Sequence, residues 1–136
     1  MINSGLFTSQ KQNWKTPSKF YEKLNEEFHF DHDPCISDDK VTWETNGLYT
    51  EWGECNFVNP PYNQIDKWMA KGYQEWQKGK TVVFLIPSRT DTKWWHTYCM
   101  LATEIRFIQG RLCFNDDGKP APFPSCIIIF KKRDAS

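Results

Sequence analysis

The chain has 136 residues, of which 39% are hydrophobic and 25% charged, with 17 Lys and Arg against 17 Asp and Glu. This length fits one compact domain over residues 1–136 with no separate regulatory module, and the neutral balance excludes a protein that holds nucleic acid mainly by phosphate attraction. No apolar run approaches the roughly 18 residues of a membrane helix, so no membrane partner is expected. The rings stand out: 10 Phe, 7 Trp and 5 Tyr are more than a small core readily buries, which predicts that some of them line a binding surface.

Residues 1–13 read as a loose polar segment without the basic start and apolar stretch of a signal peptide, so a cytoplasmic protein with reduced cysteines is expected. The five cysteines, Cys35, Cys55, Cys99, Cys113 and Cys126, lie far apart with no CxxC pair, which argues for small buried residues and against a metal site. Thr16 and Pro17 read as an N-cap followed by proline at the first helical position. Phe20, Leu24 and Phe28 recur every four residues behind them and predict a helix over 18–28. A short strand is expected at 29–31, running into Asp31-His32-Asp33-Pro34-Cys35, while 37–52 is polar, turn-rich and without a clear assignment. A second strand, 56–58, stops at Asn59-Pro60-Pro61-Tyr62, because two consecutive prolines cannot continue a central ladder.

Ile65, Trp68, Met69, Gly72, Tyr73 and Trp76 then fall at helical spacing, with Gly79 as the stop. The apolar, largely β-branched run 81–86 has the pattern of a strand buried on both faces of a parallel sheet, ended by Pro87. Trp94, Trp95, Tyr98 and Leu101 mark a further amphipathic helix. Strands are expected at 104–108, 111–114 and 126–130, the last two as a candidate hairpin. Strands alternating with helices define an α/β sheet with helices on its faces.

In such a sheet ligands bind at the carboxyl ends of the strands, where both 31–35 and 59–62 fall. Asn59 brings an amide with one acceptor oxygen and two donors, Pro60 only its carbonyl, and Tyr62 an aromatic face. Two convergent acceptors suit an exocyclic NH2 group whose ring stacks on Tyr62. The amino nitrogen of adenine or cytosine is conjugated with its ring and is a poor nucleophile. Accepting both of its hydrogens lets it pyramidalise and attack an activated methyl with no proton removed beforehand. As a bare tetrapeptide Asn-Pro-Pro-Tyr is equally a rigid turn; its place between a buried strand and an amphipathic helix favours the functional reading.

These residues resemble the motif of amino-group methyltransferases that use S-adenosylmethionine (SAM), and the chain from about Trp14 to Phe130 resembles the compact phage-type DNA N6-adenine methyltransferases. The resemblance also rests, in order, on Trp14-Lys15-Thr16-Pro17, Phe30 to Cys35, Asn46-Gly47-Leu48 with Trp52, and Leu85 to Thr92 with Trp94, Trp95 and His96. Gly110 to Phe114 and Ala121 to Ser125 complete it. It implies a compact class I SAM-methyltransferase-like, Rossmann-like sheet, with Asn59, Pro60, Pro61 and Tyr62 at the target base. Thr16 and Pro17 would lie near the methionine end of SAM, and Asp31, Asp33, Pro34 and Cys35 in the cofactor loop. Asn46 matches a position where relatives usually carry an aspartate that accepts from the adenine amino group of SAM; Asp38 and Asp39 are candidates for its ribose.

Toward DNA, Arg89 and Arg111 lie beside turns where they reach phosphate or form surface ion pairs. Asp91 borders the pocket or caps its helix, Trp94 borders the pocket or fills the core, and His96 alone decides nothing. The segment 115–124, with Lys119 and Phe123, is a candidate DNA-reading loop or an ordinary hairpin loop. The expected activity is methyl transfer from SAM to N6 of adenine in DNA, with cytosine N4 or an RNA amine as other acceptors. A non-catalytic SAM-binding or DNA-mimicking accessory protein is the alternative class, and a homo-oligomer is compatible with either.

Overall fold

The structure, a computed structural model, describes residues 14–35 and 46–133. In chain order these form α1 (Ser18–Phe28), β1 (Cys55–Val58), α2 (Ile65–Gln77), β2 (Thr81–Pro87), α3 (Lys93–Thr97), β3 (Glu104–Phe107) and β4 (Ser125–Phe130). Three 3-10 turns lie between them, at Tyr62–Gln64, Cys99–Leu101 and Phe114–Asp116.

The four strands form one sheet in the order β1-β2-β4-β3. β1 runs parallel to β2, whereas β4 is antiparallel to both β2 and β3. The expected parallel sheet is therefore corrected to a mixed one, although β2 and β4 are buried along almost their whole lengths, as continuous apolar runs require. One face packs Trp68 and Met69 of α2 and Trp95 of α3 on Phe84, Ile86 and Phe130; the other packs Leu24 of α1 and Phe114 on Phe57, Val83, Leu85 and Ile127. Gly72 lets α2 lie close to β2, since a Cβ there would stand 2.4 Å from the ring of Phe84.

α1 covers the predicted span but starts differently. Pro17 is its N-cap residue and has no side chain with which to cap, while the Thr16 hydroxyl is engaged by Asn59. The cap comes from 98 residues away: Asp116 accepts the Ser18 N–H at 3.1 Å and the Ser18 hydroxyl at 2.7 Å. A carboxylate suits the positive end of a helix, and these bonds hold the Asp116 carboxyl below its usual range.

Two expected strands do not form. In place of a strand at 29–31 there is one parallel bridge just after it, from His32 to Asn56, and it goes no further because Pro34 has no N–H with which to continue a ladder. Arg111–Phe114 pairs with nothing as a strand; Phe114 is buried in the α1-side core and opens a turn in which Asn115 and Asp116 take left-handed φ values of 64 and 52°. β4 pairs with β3 in its place. The third helix is also shorter than expected, five residues capped by the Thr92 side chain, which accepts the Trp95 N–H at 3.3 Å.

Candidate active site

β1 delivers Asn59 to the carboxyl edge of the sheet. Its Nδ2 donates to the Trp14 carbonyl and, at 3.0 Å, to the Thr16 hydroxyl. A carbonyl can only accept, so the amide nitrogen must face Trp14 and the oxygen must turn the other way. That oxygen, Oδ1, is buried and has no partner among the described residues. Leaving a buried acceptor unmet costs about 1–3 kcal/mol, a cost removed when a donor arrives. Pro60 is buried and offers only its carbonyl. The Pro61 carbonyl accepts the Gln64 N–H at 3.0 Å, starting the turn that leads into α2.

Tyr62 lies nearly parallel to the Trp14 indole, at 16° with centroids 6.1 Å apart, and meets Phe123 edge-on at 5.3 Å. Trp14 in turn packs edge-on against Phe114 and Phe123. The Tyr62 hydroxyl is buried without a partner among the described residues, and burial pushes its pKa far up against the opposing charge of Arg89, so it is a neutral phenol. The Trp14–Ser18 segment is clamped from the far end of the chain. Lys15 N–H donates to Asn115 Oδ1 at 2.9 Å and Asn115 N–H to the Lys15 carbonyl at 2.8 Å, beside the Asp116 cap.

Next to Asn59 opens a cleft of about 830 Å³ lined by Trp14, Thr16, Tyr21, Asp33, Cys35 and Phe57 among others, within the roughly 300–1,000 Å³ typical of small-molecule and cofactor sites. Asp33 is exposed at the rim of this concavity. Crowding by neighbouring atoms raises its carboxyl pKa to about 6, against the Cys35 N–H that donates to it at 3.2 Å. Burial first, and then the Asp33 charge, raise the Tyr21 phenol. A second groove, of about 660 Å³, is lined by Tyr62, Lys67, Lys93, Trp94 and Tyr98 among others.

The structure thus gathers Thr16, Asp33, Cys35 and Asn59 around one cleft and puts Trp94 beside Tyr62 in the adjoining groove. Other expected residues are engaged elsewhere. Asp31 Oδ1 accepts the Cys55 N–H at 3.1 Å, at the amino end of β1 and away from the cleft. The Pro17 carbonyl accepts the Tyr21 N–H at 3.0 Å within α1, and Pro34 is buried against Gly47. Asn46 Oδ1 accepts the Leu48 N–H at 2.9 Å, an acceptor already used in a local turn. Arg111 reaches the Ala121 carbonyl at 3.4 Å. Lys119 lies exposed in a loop tied by its own N–H to Asp117 Oδ1 at 2.9 Å, and Arg89 and Asp91 are exposed. Thr92, not Asp91, caps α3, and His96 Nε2 lies 2.8 Å from the Thr90 carbonyl. Asp38 and Asp39 fall outside the described residues. Trp14 and Tyr21 were not anticipated as site residues; an aromatic residue two positions before Thr16-Pro17 is the one signal for Trp14.

Fold and site define a mixed α/β protein with a cofactor-sized cleft beside an acceptor-bearing turn at the carboxyl edge of its sheet. A family model described as DNA N-6-adenine-methyltransferase (Dam) matches residues 3–133, and the chain belongs to that family. It is similar to the DNA N-6-adenine-methyltransferase of Escherichia phage T1, 27% identical over 114 residues covering 77% of this chain and 48% of the relative. It is also similar to the DNA N-6-adenine-methyltransferase of Haemophilus phage HP1 (strain HP1c1), 28% identical over 149 aligned positions covering 98% of this chain and 86% of the relative. The chain thus spans about half the length of the first of these relatives. No solved structure matches it at a significant level.

Proposed function

We propose that this chain transfers a methyl group from SAM to N6 of adenine in DNA, on a compact sheet of the class I, Rossmann-like methyltransferase type. The observation that carries the reading is the Asn59 amide: both of its donor contacts are fixed on the Trp14–Thr16 segment, and its buried oxygen has no donor among the described residues. An arriving NH2 group supplies that donor, and the Pro60 carbonyl is the second acceptor. Together they draw the amine out of conjugation and localise its lone pair, an effect that grows toward the transition state and therefore accelerates the step. Tyr62 offers the stacking face for the attached base, and its neutral ring carries no charge to be desolvated.

The residues of the cleft fit SAM. Its volume suits a nucleoside-sized ligand, its walls alternate rings with polar groups, and the Asp33 carboxylate is an acceptor at its rim for a hydroxyl or cationic group. When bound, SAM supplies a methyl carbon activated by its sulfonium. Asn59 then stands between the cofactor cleft and the base, as transfer in line requires. The 115–124 loop, held to the site through Asn115 and Asp116, brings Lys119 and Phe123 to the DNA side, with Arg89 near Tyr62.

The test is mass spectrometry of nucleosides from DNA of cells making the native chain or Asn59→Ala. N6-methyladenine is expected with the first and not with the second. SAM binding without N6-methyladenine would sink the adenine assignment, N4-methylcytosine in its place would move the acceptor to cytosine, and SAM binding with no methylated base at all would leave the accessory-protein reading.

A further inference from the structure

Glu75 on α2 is fully buried. A buried carboxylate survives only with partners, and Glu75 has four: Lys71 at 2.8 Å, Lys78 at 3.0 Å, Lys80 at 2.7 Å and the backbone N–H of Trp52 at 3.1 Å. Lys80, itself nearly buried, also donates to the Trp52 carbonyl at 2.7 Å. The pair therefore holds both backbone polar groups of Trp52. The indole carries the constraint onward, because it stacks on Trp68 at 6.2 Å and 27° while its Nε1–H donates to the Gly47 carbonyl at 2.7 Å. Gly47 abuts the cofactor loop: a Cβ built there would stand 2.2 Å from the Pro34 carbonyl oxygen. Pro34 lies between Asp33 and Cys35, both of which line the cleft.

Buried ion clusters are a poor route to stability, since apolar residues of similar volume often do better. What such a cluster supplies is fixed geometry. The same helix begins directly after the Tyr62–Gln64 turn, so one rigid element touches both the base-facing turn and, by this chain of contacts, the loop at the cleft.

We propose that Glu75 and Lys80 are positioning residues that, through Trp52 and Gly47, set Asp33 and Cys35 against the cofactor. The inference rests on the reading that this cleft holds SAM. Trp52→Phe is the decisive variant, because it keeps a ring on Trp68 and every backbone bond while deleting the donor to Gly47. Its KM for SAM is expected to rise about five- to tenfold, the size of one net hydrogen bond, with kcat at saturating SAM close to native and the melting temperature lowered by several degrees, as a lost buried bond and a smaller core ring require. Glu75→Gln should shift the same KM further. Gly72→Ala, which strains α2 without touching these contacts, should leave it unchanged.

An unchanged KM in Trp52→Phe would overturn the proposal, as would an equal rise in Gly72→Ala, which would make the effect one of general destabilisation. If the native chain binds no SAM in calorimetry, the cofactor reading fails separately. The positioning role is then decided by the Cys35 amide resonance, which Trp52→Phe moves if Gly47 sets the loop and leaves in place if it does not.

Discussion

Asn59→Ala separates the two jobs of one side chain. The substitution removes the Oδ1 acceptor and, with it, the two Nδ2 bonds to the Trp14 carbonyl and the Thr16 hydroxyl. At about 1 kcal/mol net for each bond, stability falls by about 2 kcal/mol, which a domain with a typical 5–15 kcal/mol tolerates. Losing a preorganised contact made in the transition state costs about 10²–10³ in kcat. Thr16→Val is the matched control: it removes one Nδ2 partner but leaves Oδ1 and the Trp14 bond, so kcat should fall less than about tenfold, in line with a single net hydrogen bond. The assay is initial velocity on unmethylated DNA at saturating SAM, paired with calorimetric SAM affinity, which should change only a few-fold in both variants. Equal kcat losses in the two, or a loss of SAM affinity in proportion to activity in Asn59→Ala, would refute the acceptor role.

Tyr62→Phe should be nearly neutral in kcat/KM and no less stable than the native chain, because the hydroxyl it removes is buried without a partner among the described residues. Tyr62→Ala should lose the stacking face, worth about 1–3 kcal/mol per base, measured on one fixed DNA duplex; equal losses in both variants would assign the role to the hydroxyl. Crowding by neighbouring atoms pushes the Asp33 carboxyl up from its usual range to about 6, so affinity for SAM should weaken as pH falls through about 6 and the carboxylate is protonated. The same raised pKa means that ionising Asp33 in the fold costs stability as pH climbs from 3.8 through about 6. Asp33→Asn should therefore stabilise the free protein at neutral pH while weakening SAM and flattening its pH dependence, and a pH profile unchanged by the variant would reassign the group. Gly72→Ala puts a methyl 2.4 Å from the Phe84 ring; overpacking of about 1–3 kcal/mol outweighs the ~1 kcal/mol gained in helix propensity, so the urea midpoint should drop, and a raised midpoint would show that the helix can shift.

What could be read from the sequence was local. Phe20, Leu24 and Phe28 at helical spacing mark α1 to the residue, and the apolar run 81–86 marks β2, because in each case the neighbours that decide the conformation lie within a few positions. Pairing was not legible. Nothing near residue 126 tells that β4 enters between β2 and β3, and the alternation at Arg111–Phe114 mimics a strand although Phe114 is apolar in order to sit under Trp14. Thr16 loses its expected capping role to Asp116 for the same reason: Asn59, 43 residues on, claims the hydroxyl, and the cap arrives from a turn 98 residues from Ser18. At the site, Asn59 to Tyr62 stand out because two prolines after a strand are rare, whereas Glu75 reads in sequence as one more solvated acid on a helix. Its burial depends on three lysines and a tryptophan backbone that only the folded chain assembles.

The last strand of the described chain occupies an inner position in the sheet, and this has a consequence for biosynthesis. While a ribosome is still making the residues before Ser125, β3 has no partner and β2 is paired only with β1. The row from Val82 to Pro87, later matched against Phe130 to Ser125, is then an open apolar edge, the kind of surface that templates aggregation. The turn that clamps the Trp14–Ser18 segment over Asn59 is translated only shortly before. Folding of the sheet and closure of the site over Asn59 must therefore wait for Ser125 to Phe130 and come nearly together, which makes the nascent chain a client for holding chaperones and favours slow, non-local assembly over stepwise growth from the amino end.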